Sequence, residues 1–250
     1  MDTPPWSDAE LMAVLLSREV REGEISACGA HSMIPAAGLL LAKERHAPGA
    51  QLIILGSKAF MPFDTSRQFH YLAQRGDLGL FFVSGVQIDQ YGNYNLHQLG
   101  EDVNRPRLRM PGGYGGGMIY YAARRTIVFR TEHTRRSLVP RVDFVSAAGS
   151  TPPHVLRHGG PSKVITPKAT FRFEREPGLL RLESVHPPYT ALQVAEDTGF
   201  DLGPLDAVPP TPAPTSGELR TLREKVRTTM METGTYADWA AKQLGAGQAA

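Results

Sequence analysis

The chain has 250 residues, of which 41% are apolar and 21% charged, as expected for an ordinary globular protein with one large domain or two small ones. Its formal net charge is only +2 and the basic residues are dispersed, which argues against a nucleic-acid groove and against a membrane-binding patch. The single cysteine, Cys28, excludes an internal disulfide, and acidic residues among the first thirty argue against a secretory signal, so we expect a cytoplasmic protein.

The predicted elements alternate between helix and strand along the chain. A capping box from Ser7 to Glu10 begins a first helix, which we expect to end near Gly23. Apolar periodicity predicts the elements that follow, namely a helix at 36–45 and short buried strands at 25–30, 52–55, 80–84, 127–129, 142–145 and 164–165. This alternation predicts an α/β fold with an open parallel or mixed sheet, covered by helices on both faces.

The C-terminal part has its own pattern. Segments 171–174 and 179–183 flank a Glu-Pro-Gly turn and predict a β-hairpin. We therefore expect an α/β domain over 1–206, a proline-rich connector over 207–216, a helix over 217–232 and a tail over 233–250. The last residues, from Gly245, are expected to be disordered.

Two segments about twenty residues apart carry the most specific signal. The first, Gly85-Val-Gln-Ile-Asp-Gln-Tyr-Gly-Asn-Tyr-Asn95, predicts a buried strand that ends in a turn containing Asp89 and Asn93. The second, Met110-Pro-Gly-Gly-Tyr-Gly-Gly-Gly117, is a glycine loop in which Tyr114 is the one bulky side chain after the proline. Glycine permits positive φ and a close approach to a ligand. A helix beginning at Met118 would direct amide groups towards an anion or oxyanion, although a tight turn is the alternative explanation of the loop.

In this order, the two segments resemble the hallmark regions of the β subunit of family I CoA-transferases, above all the glutaconate CoA-transferase type. Similar stretches occur at 46–48, 141–145, 164–168 and 196–201, so the resemblance covers roughly residues 8–228. It implies a CoA-transferase-like α/β fold that acts on a coenzyme A thioester without another cofactor. It also implies a partner, an α-type CoA-transferase subunit, in an α2β2 assembly.

The resemblance further implies a nucleophilic glutamate just after the strand that follows the Ala47-Pro48 segment. Leu55 stands at that position, and no acidic residue lies between Gly49 and Phe63. A leucine cannot form the acyl anhydride on which the transfer reaction depends. Ser57 is an alternative nucleophile, but no histidine lies near it in the sequence, and a turn or capping role is favoured.

The missing glutamate favours a different reaction. The segment Phe60-Met-Pro-Phe63 resembles the steroid ring-cleaving hydrolases of this fold, in which the β subunit also lacks the glutamate and the α subunit supplies the carboxylate. C–C bond hydrolysis of an acyl-CoA is therefore preferred, with a genuine CoA-transferase and a non-catalytic structural subunit as alternatives. A decarboxylase group carries a cysteine at the glutamate position, and Cys28, in an earlier strand, fits that group less well.

No residue of this chain is predicted to act as the nucleophile. Gly113, Gly115 and Gly116 are the candidate oxyanion donors. The wider candidate set for binding substrate or coenzyme A is Gly112, Gly113, Tyr114, Gly115, Gly116, Gly117, Asp89 and Asn93. Turn formation is an equally strong explanation for Asp89 and Asn93. Only His154 and His158 have a zinc-like spacing, and they lie in a loop, so no metal site is expected.

Overall fold

One seven-stranded sheet organises the computed structural model, which describes residues 5–245. The strands are β1 (Ile25–Cys28), β2 (Gln51–Ile54), β3 (Leu78–Ser84), β4 (Gln87–Asp89), β5 (Tyr94–Asn95), β6 (Gln98–Leu99), β7 (Leu108–Arg109), β8 (Arg125–Phe129), β9 (Leu138–Val139), β10 (Pro161–Ile165), β11 (Ala169–Glu174) and β12 (Leu179–Val185). The helices are α1 (Asp8–Ser17), α2 (Met33–Arg45), α3 (Ser66–Gln74), α4 (Gly116–Ala122), α5 (Ala191–Glu196), α6 (Ser216–Thr221), α7 (Arg227–Glu232) and α8 (Ala237–Gln243). A π-helical turn, Leu222–Val226, joins α6 to α7.

The large sheet is mostly parallel. Its spatial order is β12-β11-β10-β8-β3-β1-β2. The five strands from β10 to β2 are parallel to one another, whereas β11 pairs antiparallel with both of its neighbours, β10 and β12. Because these five strands are parallel, their carboxyl ends lie along one edge of the sheet. That edge is where open α/β sheets bind ligands.

Helices cover both faces of this sheet, as β3 illustrates. Leu80 and Phe82 belong to a first core cluster, shared with α1, α2 and the C-terminal helices. Phe81 and Val83 belong to a second core cluster, shared with α3 and α4. Alternate side chains of a strand point to opposite faces, and here both faces are apolar, as expected for a strand buried on two sides. The expected α/β fold is confirmed.

The first helix begins as predicted and ends earlier. The Ser7 hydroxyl accepts from the Glu10 amide at 3.2 Å while Glu10 accepts from the Ser7 amide at 3.0 Å, which is the predicted capping box. The helix stops at Ser17 rather than near Gly23. Arg18 then turns towards the C-terminal helices, where its guanidinium donates to Glu218 at 2.8 Å, and tight turns replace the helical bonds.

The strand expected at 142–145 is absent from the structure. The amides of Val142 and Asp143 donate to side chains instead, to Asp89 Oδ2 at 3.2 Å and to Gln87 Oε1 at 3.0 Å. An apolar run that pairs with side chains rather than with a neighbouring strand cannot be recognised from its composition.

The C-terminal region agrees with its main predictions. β11 and β12 form the expected antiparallel hairpin, and the predicted helix runs from Ser216 to Glu232. The predicted tail contains a further helix, α8, whose Ala240 is buried in the first core cluster. Disorder was expected from Gly245 onwards; the Gly245 amide donates to Glu10 Oε1 at 3.1 Å, and 246–250 lie outside the described range. The division into domains stays a prediction. Among residues 5–245, no helix has the length and apolarity needed to cross a membrane.

Candidate functional site

The glycine loop lies at the carboxyl edge of the parallel strands. Helix α4 begins in this loop and ends just before the amino end of β8. Because the helix runs back along the sheet, its first turn lies beside the carboxyl ends of the parallel strands. By the same argument α3, which leads into β3, begins at that edge. Leu55 lies there too, because it follows the last residue of β2 directly. Helix α4 starts at Gly116 rather than at Met118, so two of the loop glycines belong to its first turn.

The loop backbone is tightly turned and still has free donors. Gly115 (φ 80°) and Tyr114 (φ 45°) are both left-handed, and the Tyr114 side chain is 84% exposed. The Gly116 amide closes the turn by donating to the Gly113 carbonyl at 2.6 Å. Among the residues described, no carbonyl or side chain accepts from the amides of Gly113 and Gly115. These two amides are therefore available to an oxygen of a ligand, whereas the amide of Gly116, the third predicted oxyanion donor, is already used within the turn.

Three polar side chains lie against the loop, and none of them was singled out from the sequence. A methyl group added to Gly112 would lie 3.2 Å from His97 Nε2, and one added to Gly116 would lie 2.6 Å from Tyr94 Oη. A methyl group on Gly115 would collide with His70 Nε2. Glycine is therefore required here by close neighbours as well as by backbone conformation. His70 comes from α3, too far along the chain for any short-range pattern to connect it with the loop.

His97 is held in a defined orientation. Its Nδ1 lies 2.6 Å from Ser146 Oγ, and that hydroxyl oxygen also accepts from the Leu96 amide at 2.7 Å. The Phe144 ring packs against the imidazole with 4.9 Å between ring centres. The His97 ring is thus fixed by a hydrogen bond and by aromatic packing, on the side of the loop where Gly112 lies.

Tyr94 contributes a buried hydroxyl. Its ring is fully buried and makes an edge-to-face contact with Tyr120 at 5.0 Å between ring centres. Within residues 5–245 the Tyr94 hydroxyl has no hydrogen-bond partner, whereas Tyr120 donates to the Gly92 carbonyl at 2.6 Å. Burial raises the pKa of Tyr94, so its hydroxyl stays protonated and can donate.

Asp89 and Asn93 do not meet the loop through their side chains. Asp89 is 1% exposed, and its carboxylate accepts from the amides of Tyr91, Asn93 and Val142 and from the Asn93 side chain, at 3.0–3.2 Å. Asn93 in turn accepts from the Gly149 amide at 2.9 Å. Four hydrogen bonds use the acceptor capacity of a carboxylate. These contacts favour the turn-forming alternative for Asp89 and Asn93. Burial is the largest influence on the pKa of Asp89 and raises it above the usual value.

The end of β2 offers no accessible nucleophile. Leu55 packs against the second core cluster, on the face of the sheet that carries α3 and α4. Ser57 is 5% exposed, and its hydroxyl lies 2.6 Å from that of Thr235, which favours the structural role. Cys28 is fully buried, and burial strongly raises the pKa of its thiol, so it stays protonated.

No candidate metal centre was found among residues 5–245, in which no three His, Cys, Asp or Glu side chains converge as ligands would. His154 and His158 both lie exposed in the loop that precedes β10. Neither belongs to the carboxyl edge of the sheet.

The chain is similar to several known proteins. The family model for coenzyme A transferase matches residues 57–197. The B-type subunit of the glutaconate CoA-transferase of Acidaminococcus fermentans is 25% identical over 260 residues, which cover 90% of this chain and 94% of the relative. The cholesterol ring-cleaving hydrolase IpdB subunit of Rhodococcus jostii is 33% identical over 146 residues, but the match spans only 55% of each chain.

A solved structure extends the likeness to the fold. The crystal structure of glutaconate coenzyme A-transferase from Acidaminococcus fermentans superposes with a TM-score of 0.77 at 23% identity, and the superposition covers 92% of this chain and 98% of that one. At this level of identity the superposition concerns the fold alone.

Proposed function

The chain belongs to the coenzyme A transferase family, whose model matches more than half of it, and on that basis we propose that it is the β subunit of a heteromeric hydrolase that cleaves a C–C bond of an acyl-CoA. The family acts on coenzyme A thioesters, and its chemistry uses no further cofactor. The glycine loop is the proposed thioester site of this chain.

One observation carries the choice of hydrolysis over transfer. The position at the end of β2 where the family resemblance implies a nucleophilic glutamate holds Leu55. The nearby alternatives are buried, because Ser57 is engaged by Thr235 and Cys28 lies in the core. Without a nucleophile on this chain, the reaction needs water as the attacking group and a carboxylate from the partner subunit as its base.

The proposed reaction balances without a covalent enzyme intermediate. Water, deprotonated by the base, adds to a ketone carbonyl that is attached to the α-carbon of the thioester. The bond between the ketone carbon and the α-carbon then breaks, its electron pair passes to the thioester as an enolate, and the α-carbon takes a proton. The products are a carboxylic acid and a coenzyme A thioester. The free amides of Gly113 and Gly115 would stabilise the enolate oxygen, a contribution of about 3–4 kcal/mol for one donor in comparable sites.

Exposed apolar side chains support a partner at this site. Val103, Leu108, Tyr114 and Val145 are each at least 49% exposed and belong to the segments that border the glycine loop. Apolar groups that gather on one part of a surface are typical of a protein interface. The relatives are named as subunits, in keeping with an α-type partner. The α2β2 stoichiometry and the cytoplasmic location expected from the sequence belong to the same proposal.

Coenzyme A transfer between carboxylic acids is the second candidate. It is favoured by the glutaconate CoA-transferase relative, because that match covers 90% of the chain whereas the hydrolase match covers 55%. The two reactions differ in their intermediate, since only transfer needs an acyl group on an enzyme carboxylate.

The complex with its α-type partner distinguishes these functions. We would supply 2-oxocyclohexanecarboxyl-CoA in H2¹⁸O, and hydrolysis should give a ring-opened dicarboxylic thioester with one ¹⁸O in its new carboxylate. A parallel sample would be incubated with glutaconyl-CoA and acetate, trapped with hydroxylamine or borohydride and mapped by mass spectrometry. A modified glutamate anywhere in this chain would overturn hydrolysis and establish transfer.

A further inference from the structure

The His97 imidazole is anchored in a way that a surface-loop histidine does not need. Its backbone amide donates to Asn95 Oδ1 at 3.0 Å, and its carbonyl accepts from the Met110 amide at 2.8 Å. Together with the Ser146 hydrogen bond and the Phe144 contact, these bonds tie the residue to the start of the glycine loop. Such support is typical of a side chain whose direction matters.

The contact with Ser146 relates to the tautomer of this imidazole. Ser146 Oγ accepts from the Leu96 amide, and the one described acceptor for its hydroxyl hydrogen is His97 Nδ1. If Nδ1 accepts, a neutral imidazole carries its hydrogen on Nε2. With the Ser146 hydroxyl as the donor to Nδ1, Nε2 of His97 is left as a hydrogen-bond donor.

Nε2 of His97 is directed at the glycine loop. Nε2 faces Gly112, where an added methyl group would lie 3.2 Å away, and among residues 5–245 it has no acceptor. His97 is half-buried, so a ligand can reach it. An imidazole N–H that is oriented by a second group and directed into a glycine loop has the geometry of a ligand-binding donor.

The buried Tyr94 hydroxyl provides independent support. It lies beside Gly116, it is fully buried, and no acceptor for it exists in the described part of the chain. Buried hydroxyls almost always have a partner, and this one lies beside a loop with free amides. Tyr94, His97 and the amides of Gly113 and Gly115 are all donors, a set that suits an anionic oxygen.

We infer that His97, oriented by Ser146, donates a hydrogen bond from Nε2 to the acyl oxygen of the thioester bound at the glycine loop. This inference rests on the proposed function, because it requires the loop to be the thioester site. It assigns to this chain a substrate-contacting side chain in place of the absent glutamate, with Ser146 as the residue that positions it.

Paired variants test whether the Nε2 donor itself matters. In the complex with the α-type partner, acting on 2-oxocyclohexanecarboxyl-CoA, His97→Leu should lower kcat about 100- to 1,000-fold while KM changes only a few-fold. His97→Gln, whose amide N–H can reach the Nε2 position, should recover at least tenfold of that loss. Equal loss in both variants, or none in either, would overturn the inference.

A second pair of variants tests the positioning role of Ser146. Ser146→Ala should lower kcat about tenfold, and Ser146→Thr, which keeps a hydroxyl, should restore it. His154→Leu, at an exposed loop histidine, controls for histidine replacement and should leave kcat unchanged. The thermal midpoint of every variant identifies any that fail to fold.

A spectroscopic measurement decides the matter without turnover. ¹⁵N-histidine labelling of this chain in the complex should show a hydrogen on Nε2 of His97, identified by the loss of its signals in His97→Gln. Adding acetyl-CoA should shift the Nε2 signal. If acetyl-CoA binds by calorimetry while His97 is unaffected, the inference fails and the thioester function stands. If acetyl-CoA does not bind, the proposed function fails and the inference fails with it.

Discussion

Replacing Gly115 by alanine should damage activity far more than it damages stability. Gly115 has φ 80°, a left-handed conformation that costs a residue with a Cβ about 1–2 kcal/mol. The added methyl group would also collide with His70 Nε2, so either the imidazole or the loop must move. For a chain of this size, a loss of about 1 kcal/mol lowers the thermal midpoint by about 2–4 °C. If the loop moves, the Gly115 amide leaves the thioester oxygen, and kcat falls about 100- to 1,000-fold.

Gly76 offers a matched control for the backbone effect. Its φ is 79°, and a methyl group added to it would meet nothing within 4 Å. It lies between α3 and β3, at the amino edge of the sheet and away from the candidate site. Gly76→Ala should therefore lower the midpoint by a similar few degrees and leave kcat unchanged.

Gly113 provides the opposite control, because its backbone is not left-handed and an added methyl group would make only ordinary contacts, at 3.8 Å or more. Gly113→Ala should leave the midpoint nearly unchanged and still lower kcat, since the methyl group occupies space beside a free amide. The assay is kcat and the thermal midpoint for all three variants in the complex. If Gly115→Ala behaves like Gly76→Ala, with stability lost and activity kept within a few-fold, the loop is only a turn and its assignment as the thioester site is refuted.

Three further outcomes are expected. Without an α-type partner the isolated chain should be inactive, and a monodisperse monomer with full turnover on an acyl-CoA would contradict this. Burial lowers the pKa of His133 and of His186 to about 4 from 6.5, so the unfolded chain binds more protons below pH 6.5. The free energy of unfolding should therefore fall between pH 6.5 and pH 4, by about 1.4 kcal/mol per pH unit for each histidine, and urea titrations that show no such fall would refute the assignment. Glu10→Gln should lower the free energy of unfolding by about 3–5 kcal/mol, because Nε and Nη2 of Arg223 donate to the buried Glu10 carboxylate at 2.6 and 2.9 Å. A change below about 1 kcal/mol in urea titrations would show that the pair is dispensable.

Local patterns were sufficient for several of the elements and for the family. The capping box at Ser7, the apolar strand at β3 and the hairpin of β11 and β12 each depend on residues close together in the chain, so their physical causes can be read there. The two hallmark segments likewise identified the family before the fold was known, because the glycine loop is a contiguous stretch whose backbone demands are visible in its composition. The absence of an acidic residue between Gly49 and Phe63, just after β2, was also visible in the sequence.

The surroundings of the glycine loop were decided by tertiary structure alone. His70, Tyr94 with His97, and Ser146 come from three separate segments, and they meet because α3, α4 and the turn after β4 pack on the same face of the sheet. The apolar run at 142–145 failed as a strand for the same reason, since Asp89 and Gln87 took its amides. Burial of side chains on one face of a sheet fixes which loops come together, and that depends on the packing of the whole domain rather than on the spacing of residues within any one segment.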